Sequence, residues 1–156
     1  MIAYIALGSN QGNSEANVRR AFVHLQELSD EPIHTSSLRI TAPVDCPPGS
    51  PKFVNAAAAL VVRPAETPES LLARLQALEK SFGRRPKQVL NEPRPIDLDL
   101  IAFGHESRAT PALTLPHPRA HLRRFVLEPL CEIAPHLVLP GQSQNVTQLL
   151  AQLPAA

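Results

Sequence analysis

Neither sign of charge predominates in this sequence, where 15 Lys and Arg stand against 14 Asp and Glu. So balanced a field gives no electrostatic case for a nucleic acid or a membrane surface as partner. Cysteine is scarce: Cys46 and Cys131 lie far apart, without C-x-x-C or zinc-finger spacing. That argues against a disulfide-stapled scaffold and points to two ordinary thiols in a reduced compartment. The opening MIAYIALGSN lacks a basic leader and is too short an apolar run for a signal peptide or a membrane span. A cytoplasmic location is expected. The apolar run at 55–62 has no aromatic residue, which excludes the exposed stacking platform of an RNA-binding module. Phosphate-loop patterns are missing as well, because Gly8-Ser9-Asn10-Gln11-Gly12 fits neither G-x-x-x-x-G-K-[ST] nor G-x-G-x-x-G. No H-E-x-x-H occurs, and His117 with His121 lacks further soft ligands, so zinc catalysis is not expected.

What the chain does have is 44% apolar content over 156 residues, enough to bury one sizeable core. One domain spanning 1–156 is expected. The prolines gather at apparent element boundaries, as at Pro43, Pro47, Pro48 and Pro51, and at Pro93 and Pro95, where they stiffen loops. Residues 2–7 form a short apolar strand ended by Gly8. Val18, Ala21, Phe22, Leu25 and Leu28 then recur at helical steps, with Asn13 or Ser14 available as cap. Strands are expected at 33–41 and 53–62. Thr67 offers an N-cap with Pro68 in the first helical position, and Leu71, Leu72, Leu75, Leu78 and Phe82 make one stripe before Gly83. A strand at 96–103 completes a β-α-β-β-α-β order, the α+β arrangement of ferredoxin-like folds, with an antiparallel sheet and helices packed on it. Further helices are expected near 125–133 and from Asn145 to about Leu153.

The most informative stretch is Ile96-Asp97-Leu98-Asp99-Leu100-Ile101. Strand side chains alternate in face, so Asp97 and Asp99 point the same way, with Cα atoms roughly 6.5–7 Å apart. Two carboxylates on an otherwise apolar strand repel each other and resist burial, so a positive group is expected between them. An oxygen-only pair suits a hard cation such as Mg²⁺, completed by phosphate oxygens and water. Arg84, Arg85, Lys87 and Arg94 precede the pair and Arg119, Arg123 and Arg124 follow it, as a polyphosphate substrate requires. A solvated strand end flanked by solvated basic loops is the alternative that the pattern leaves open.

Several separated segments carry a resemblance: Ala3-Tyr4-Ile5-Ala6-Leu7-Gly8-Ser9-Asn10, Phe53-Val54-Asn55-Ala56, Pro93-Arg94-Pro95-Ile96-Asp97-Leu98-Asp99-Leu100, Leu115-Pro116-His117 and Glu132-Ile133-Ala134-Pro135. In this order they resemble the 6-hydroxymethyl-7,8-dihydropterin pyrophosphokinases over nearly the whole chain. The resemblance implies a ferredoxin-like fold and transfer of pyrophosphate from ATP to the pterin hydroxymethyl group, a step of folate biosynthesis. It implies that Asp97 and Asp99 hold two Mg²⁺ ions, with Arg84 and Arg94 catalytic. ATP would be bound by Gln76, Arg84, Arg94, Thr114, His117 and Arg123. The pterin would stack between Phe53 and Phe125 and meet Asn55, Thr41, Ala42 and Val44. Loops at 9–13, 43–52 and 84–92 are expected to close over the substrates. A monomer is expected, with a catalytically silent nucleotide or pterin sensor as the alternative. Pro86, Leu90, Asn91, Glu92, Ala112 and Pro118 depart from the family pattern.

Overall fold

A computed structural model of the chain describes residues 1–41, 49, 51–83 and 95–154. In chain order the elements are β1 (Ile2–Ser9), α1 (Ser14–Gln26), β2 (His34–Thr35), β3 (Arg39–Thr41), β4 (Phe53–Val61) and α2 (Pro68–Ser81). They are followed by β5 (Asp97–Phe103), β6 (Arg108–Ala109), β7 (Thr114–Leu115), α3 (Arg124–Ile133) and α4 (Val146–Gln152). β1 pairs antiparallel with β4 from Ile2↔Val61 to Ser9↔Val54, and on its other side with β5 from Ala3↔Phe103 to Gly8↔Asp97. β2 and β3 both pair antiparallel with the outer edge of β4. The order across the sheet is thus β2 and β3, then β4, β1 and β5.

Both faces of this sheet are covered. Ala3, Ile5 and Leu7 of β1, Val54, Ala56, Ala58 and Leu60 of β4, and Leu98 and Leu100 of β5 meet Val18, Ala21 and Leu25 of α1 and Leu71 and Leu75 of α2. On the opposite face Tyr4, Ala6, Ala57 and Ile101 meet Val126, Leu127 and Leu130 of α3 and Val146 and Leu149 of α4. A strand buried on both sides needs apolar residues at every position. That is why 2–7 and 53–62 read as continuous runs rather than alternating ones.

The helix boundaries follow their caps. Asn13 Oδ1 accepts from Ala16 N at 3.2 Å and opens α1. Thr67 Oγ1 accepts from Ser70 N at 3.0 Å while Ser70 Oγ accepts from Thr67 N at 2.9 Å, so α2 begins with a reciprocal capping box. Gly83, at φ +90°, takes the left-handed turn just past the end of α2. Asn145 caps α4, accepting from Gln148 N at 2.9 Å.

Two features differ from the sequence expectation. The strand expected at 33–41 is two short strands, because Ser36 intervenes: its N donates to Ala57 O at 2.9 Å, but its own Oγ accepts from Ala57 N at 2.9 Å. A side chain replaces the backbone carbonyl in the ladder, and the chain leaves strand geometry until Arg39. The β6–β7 hairpin was not expected, each arm being two residues long and joined by a turn in which Thr110 Oγ1 accepts from Leu113 N at 3.0 Å. Pro129 lies inside α3, where its ring nitrogen cannot donate to the carbonyl of Phe125. Cys131 is a free, half-buried thiol; Cys46 lies outside the described residues.

Candidate active site

The site is built on the end of the sheet where β1 stops and β5 starts. Arg39, Asn55, Gly8 and Asp97 are direct partners across β3, β4, β1 and β5, and so form one transverse row. Two residues along the strands Ala57, Ala6 and Asp99 form a second row. Ala6 and Ala57 face α3 and α4. With a two-residue period, Gly8, Asn55, Asp97 and Asp99 share that face. Asn55 and Asp97 are therefore two strand spacings apart, roughly 9.5 Å, across a position that has no side chain.

Gly8 keeps this space open. A Cβ placed on it would lie 3.2 Å from Asn55 Oδ1 and 3.6 Å from Phe53 Cδ1. Asn55 is 5% exposed, and its Nδ2 donates to Thr41 Oγ1 at 2.6 Å. Thr41 is itself the direct partner of Phe53. Three of the residues expected to meet a pterin, Thr41, Phe53 and Asn55, are thus brought together on one side of Gly8. Phe125, in the first turn of α3, is half-buried against the second core cluster, with the Arg123 guanidinium 5.5 Å from the centre of its ring.

On the other side stand the carboxylates. Asp97 and Asp99 are both half-buried. Between them Leu98 N donates to Glu79 Oε2 of α2 at 2.8 Å, so a buried carboxylate caps the free edge of β5 where the acidic pair sits. Sequence reasoning missed Glu79, although it stands four residues after Leu75 and three before Phe82, on the apolar stripe of α2. A carboxylate on a buried stripe was the available signal. Gln76 is exposed one helical turn before Glu79.

His117 follows β7, its N donating to Ile101 O of β5 at 2.9 Å. Its Nδ1 accepts from Arg119 N at 3.3 Å. Burial pushes the imidazole below its ordinary value of 6.5; Arg123 and Arg119 push the same way, and Asp97 opposes them. Burial and the two arginines thus favour the neutral ring, within the field of one expected metal ligand. Thr114, also expected at ATP, is exposed on β7, which packs beside β5. Arg124 is not part of this set, for it binds Glu128 Oε1 at 3.4 Å and donates to Pro154 O at 2.7 Å. Ser9, the last residue of β1, is buried and donates through Oγ to Pro95 O at 2.5 Å, tying the exit of β1 to the entry of β5. Arg84 and Arg94, Ala42 and Val44, most of the loop at 43–52 and the loop at 84–92 lie outside the described residues.

Among the described residues no group of three or more His, Cys, Asp or Glu could hold a metal ion. The acidic pair therefore offers two oxygen ligands and leaves the other positions of a cation to water or to a ligand. That donor set fits Mg²⁺, which keeps waters and is commonly held by one or two carboxylates together with substrate phosphates.

Comparison with known proteins agrees. The family model for 7,8-dihydro-6-hydroxymethylpterin-pyrophosphokinase (HPPK) matches residues 4–135. The chain is 37% identical over 150 residues to the 2-amino-4-hydroxy-6-hydroxymethyldihydropteridine pyrophosphokinase of Haemophilus influenzae, covering 96% of this chain and 91% of that one. It is also 37% identical over 152 residues to the enzyme of the same name from Pseudomonas aeruginosa, covering 97% and 91%. Among solved structures, Plasmodium falciparum HPPK-DHPS with pteroate superposes with a TM-score of 0.74 at 14% identity, over 97% of this chain and 42% of that chain. This last likeness speaks for the fold alone. The chain belongs to the 7,8-dihydro-6-hydroxymethylpterin-pyrophosphokinase family, the enzymes that transfer pyrophosphate from ATP to the hydroxymethylpterin in folate biosynthesis.

Proposed function

We propose that the two sides of Gly8 divide the reaction, the pterin on the side of Thr41, Phe53 and Asn55 and the triphosphate on the side of Asp97, Asp99 and His117. One observation carries this reading: Asn55, Gly8 and Asp97 are in register on one face, with a side-chain-free position between an amide and a carboxylate. Asn55 reads the polar edge of the pterin, held by Thr41, while Phe53 and Phe125 supply its two faces. Ala42 and Val44 add backbone contacts. ATP is bound by Gln76, Arg84, Arg94, Thr114, His117 and Arg123, and Arg84 and Arg94 share the charge of the transferring group. Two Mg²⁺ ions at Asp97 and Asp99 would supply charge neutralisation at the phosphate oxygens.

The pterin hydroxyl oxygen attacks the β-phosphorus in line; the bond from that phosphorus to the α-phosphate oxygen breaks and AMP leaves. The chain's own contribution is positioning and charge, with no protein nucleophile. A neutral His117, its Nδ1 accepting from Arg119 N, carries its proton on Nε2 and donates one hydrogen bond there without adding charge to a site already rich in arginine. The strand order, with β2 and β3 counted as one interrupted strand, supports a ferredoxin-like topology. We further read the chain as a single domain over 1–156 that works as a cytoplasmic monomer on two small molecules, without nucleic acid or membrane. Among the described residues no helix is long and apolar enough to cross a membrane. The silent-sensor alternative has no observation in its favour.

AMP formation from Mg-ATP tests the assignment. It is expected only when the reduced pterin is present, and Asp97→Ala and Asp99→Ala are expected to fold yet lose nearly all turnover. Folded variants active within about tenfold, roughly 1.4 kcal/mol of barrier, would remove the acidic pair from the mechanism.

A further inference from the structure

Phe125, Glu128 and Glu132 stand at i, i+3 and i+7 on α3, one stripe of the helix. At its start this stripe carries an aromatic ring expected at the pterin. The two carboxylates that follow reach over to the β3 edge of the sheet. Glu132 Oε2 accepts from Ser37 N at 2.6 Å, and its Oε1 accepts from Ser37 Oγ at 2.7 Å and from Arg39 Nη2 at 3.0 Å. Arg39 Nη1 lies 3.5 Å from Glu128 Oε2. The Nε of Arg39 is buried without a hydrogen bond, so its two terminal nitrogens carry the whole of this grip. Arg39 is the direct partner of Asn55, and Thr41, two residues on, holds the Asn55 amide. The two walls of the pterin slot, Phe125 on α3 and Asn55 with Thr41 and Phe53 on the sheet edge, are therefore joined by one polar clamp.

We propose that Glu132 is a positioning residue for the pterin: with Ser37 and Arg39 it fixes the spacing of α3 from β3 and so the width of the slot. This rests on the reading that the pterin lies between Phe53 and Phe125. Glu128 and Glu132, four residues apart on one helix, repel each other unless a cation stands between them, and Arg39 is that cation. Ion pairs this exposed add little to stability. What they fix is a direction, because one carboxylate receives two donors from Ser37, between the strands, and a third from Arg39 at the start of β3.

The test compares Glu132→Ala, Glu132→Gln and Arg39→Met in equilibrium titrations with the reduced pterin and, separately, with Mg-ATP. Glu132→Ala and Arg39→Met are each expected to weaken pterin about tenfold, the loss of a charge-assisted bond, with Mg-ATP binding unchanged within about twofold. The double variant is expected to lose little more than either single one, since the two share an interaction. Glu132→Gln keeps an oxygen for Ser37 and should fall between, which preserves the test if the alanine variant folds poorly. Equal weakening of both ligands, or a lowered unfolding midpoint with pterin affinity intact, would reduce Glu132 to a structural tie and overturn the proposal. Asn55→Ala, run beside them, separates the two readings. If it weakens pterin and the clamp variants do not, the clamp alone fails; if it also spares pterin, the slot lies elsewhere and the clamp falls with it.

Discussion

At the scale of single residues, the site contrasts side chains that are present with one that is not. Asn55 holds a buried amide whose Nδ2 is committed to Thr41, leaving the carbonyl side for a ligand. Asn55→Ala is expected to raise the pterin dissociation constant about ten- to hundredfold, the equivalent of about 1–3 kcal/mol for a buried hydrogen bond, while Mg-ATP titrates as in wild type. Gly8→Ala tests the opposite case. Its new methyl would press on the Asn55 carbonyl and the Phe53 ring, so pterin affinity should fall more than stability, which overpacking of this kind lowers by about 1–3 kcal/mol. A Gly8→Ala protein with native pterin affinity would show that the open position is not used. Asp97 and Asp99 stood out in the sequence as candidates because carboxylates on an apolar strand demand an explanation that acids in a loop do not, and the structure puts both on one face of β5. Glu79 and Glu132 did not stand out, for the roles of both depend on residues distant in the chain: Leu98 N for the one, Ser37 and Arg39 for the other. Of the basic residues that follow the acidic pair, Arg124 has its guanidinium held by Glu128 and the backbone of Pro154. Arg119 remains on the side of His117.

At the scale of elements, what could be read locally was read correctly. The cap at Thr67, the proline after it and the glycine beyond Phe82 are local signals, and α2 obeys them. The break between β2 and β3 was invisible because a run rich in Ile, Thr and Ser fits a strand equally well with or without it. Its cause is Ser36 Oγ, which takes the Ala57 N–H that a strand carbonyl would otherwise receive. Ser36→Ala should leave that buried N–H without a partner and cost about 1–3 kcal/mol, measured as a shift in denaturant midpoint at constant slope. No loss would mean that the strand closes over the gap with its own carbonyl. The β6–β7 hairpin escaped prediction for a different reason, since a two-residue arm is too short to display any period.

At the scale of the whole molecule, one sheet serves two cores, and the active end of the sheet depends on the outer α3–α4 layer staying docked. Part of that docking is titratable. Hydrogen bonds from Ser37, then the charge of Arg39, hold the Glu132 carboxyl below its ordinary value of 4.5 despite some opposing burial. A depressed carboxylate contributes stability that is complete above its unfolded pKa and is lost as pH falls through the lower, folded one. The acid limb of stability should thus begin below about pH 4.5, and Glu132→Gln should flatten it by lowering stability above pH 6 while leaving stability at the acid end nearly unchanged. An acid limb identical in the two proteins would place Glu132 outside the linkage. The same layer also carries an optical consequence. The chain contains no tryptophan and one tyrosine, Tyr4, which lies half-buried on the β1 face that α3 and α4 cover. Intrinsic ultraviolet emission and the tyrosine band of near-ultraviolet dichroism therefore come from one chromophore at one interface. They make a label-free gauge of whether the outer layer is seated on the sheet, read without interference from the layer formed by α1 and α2.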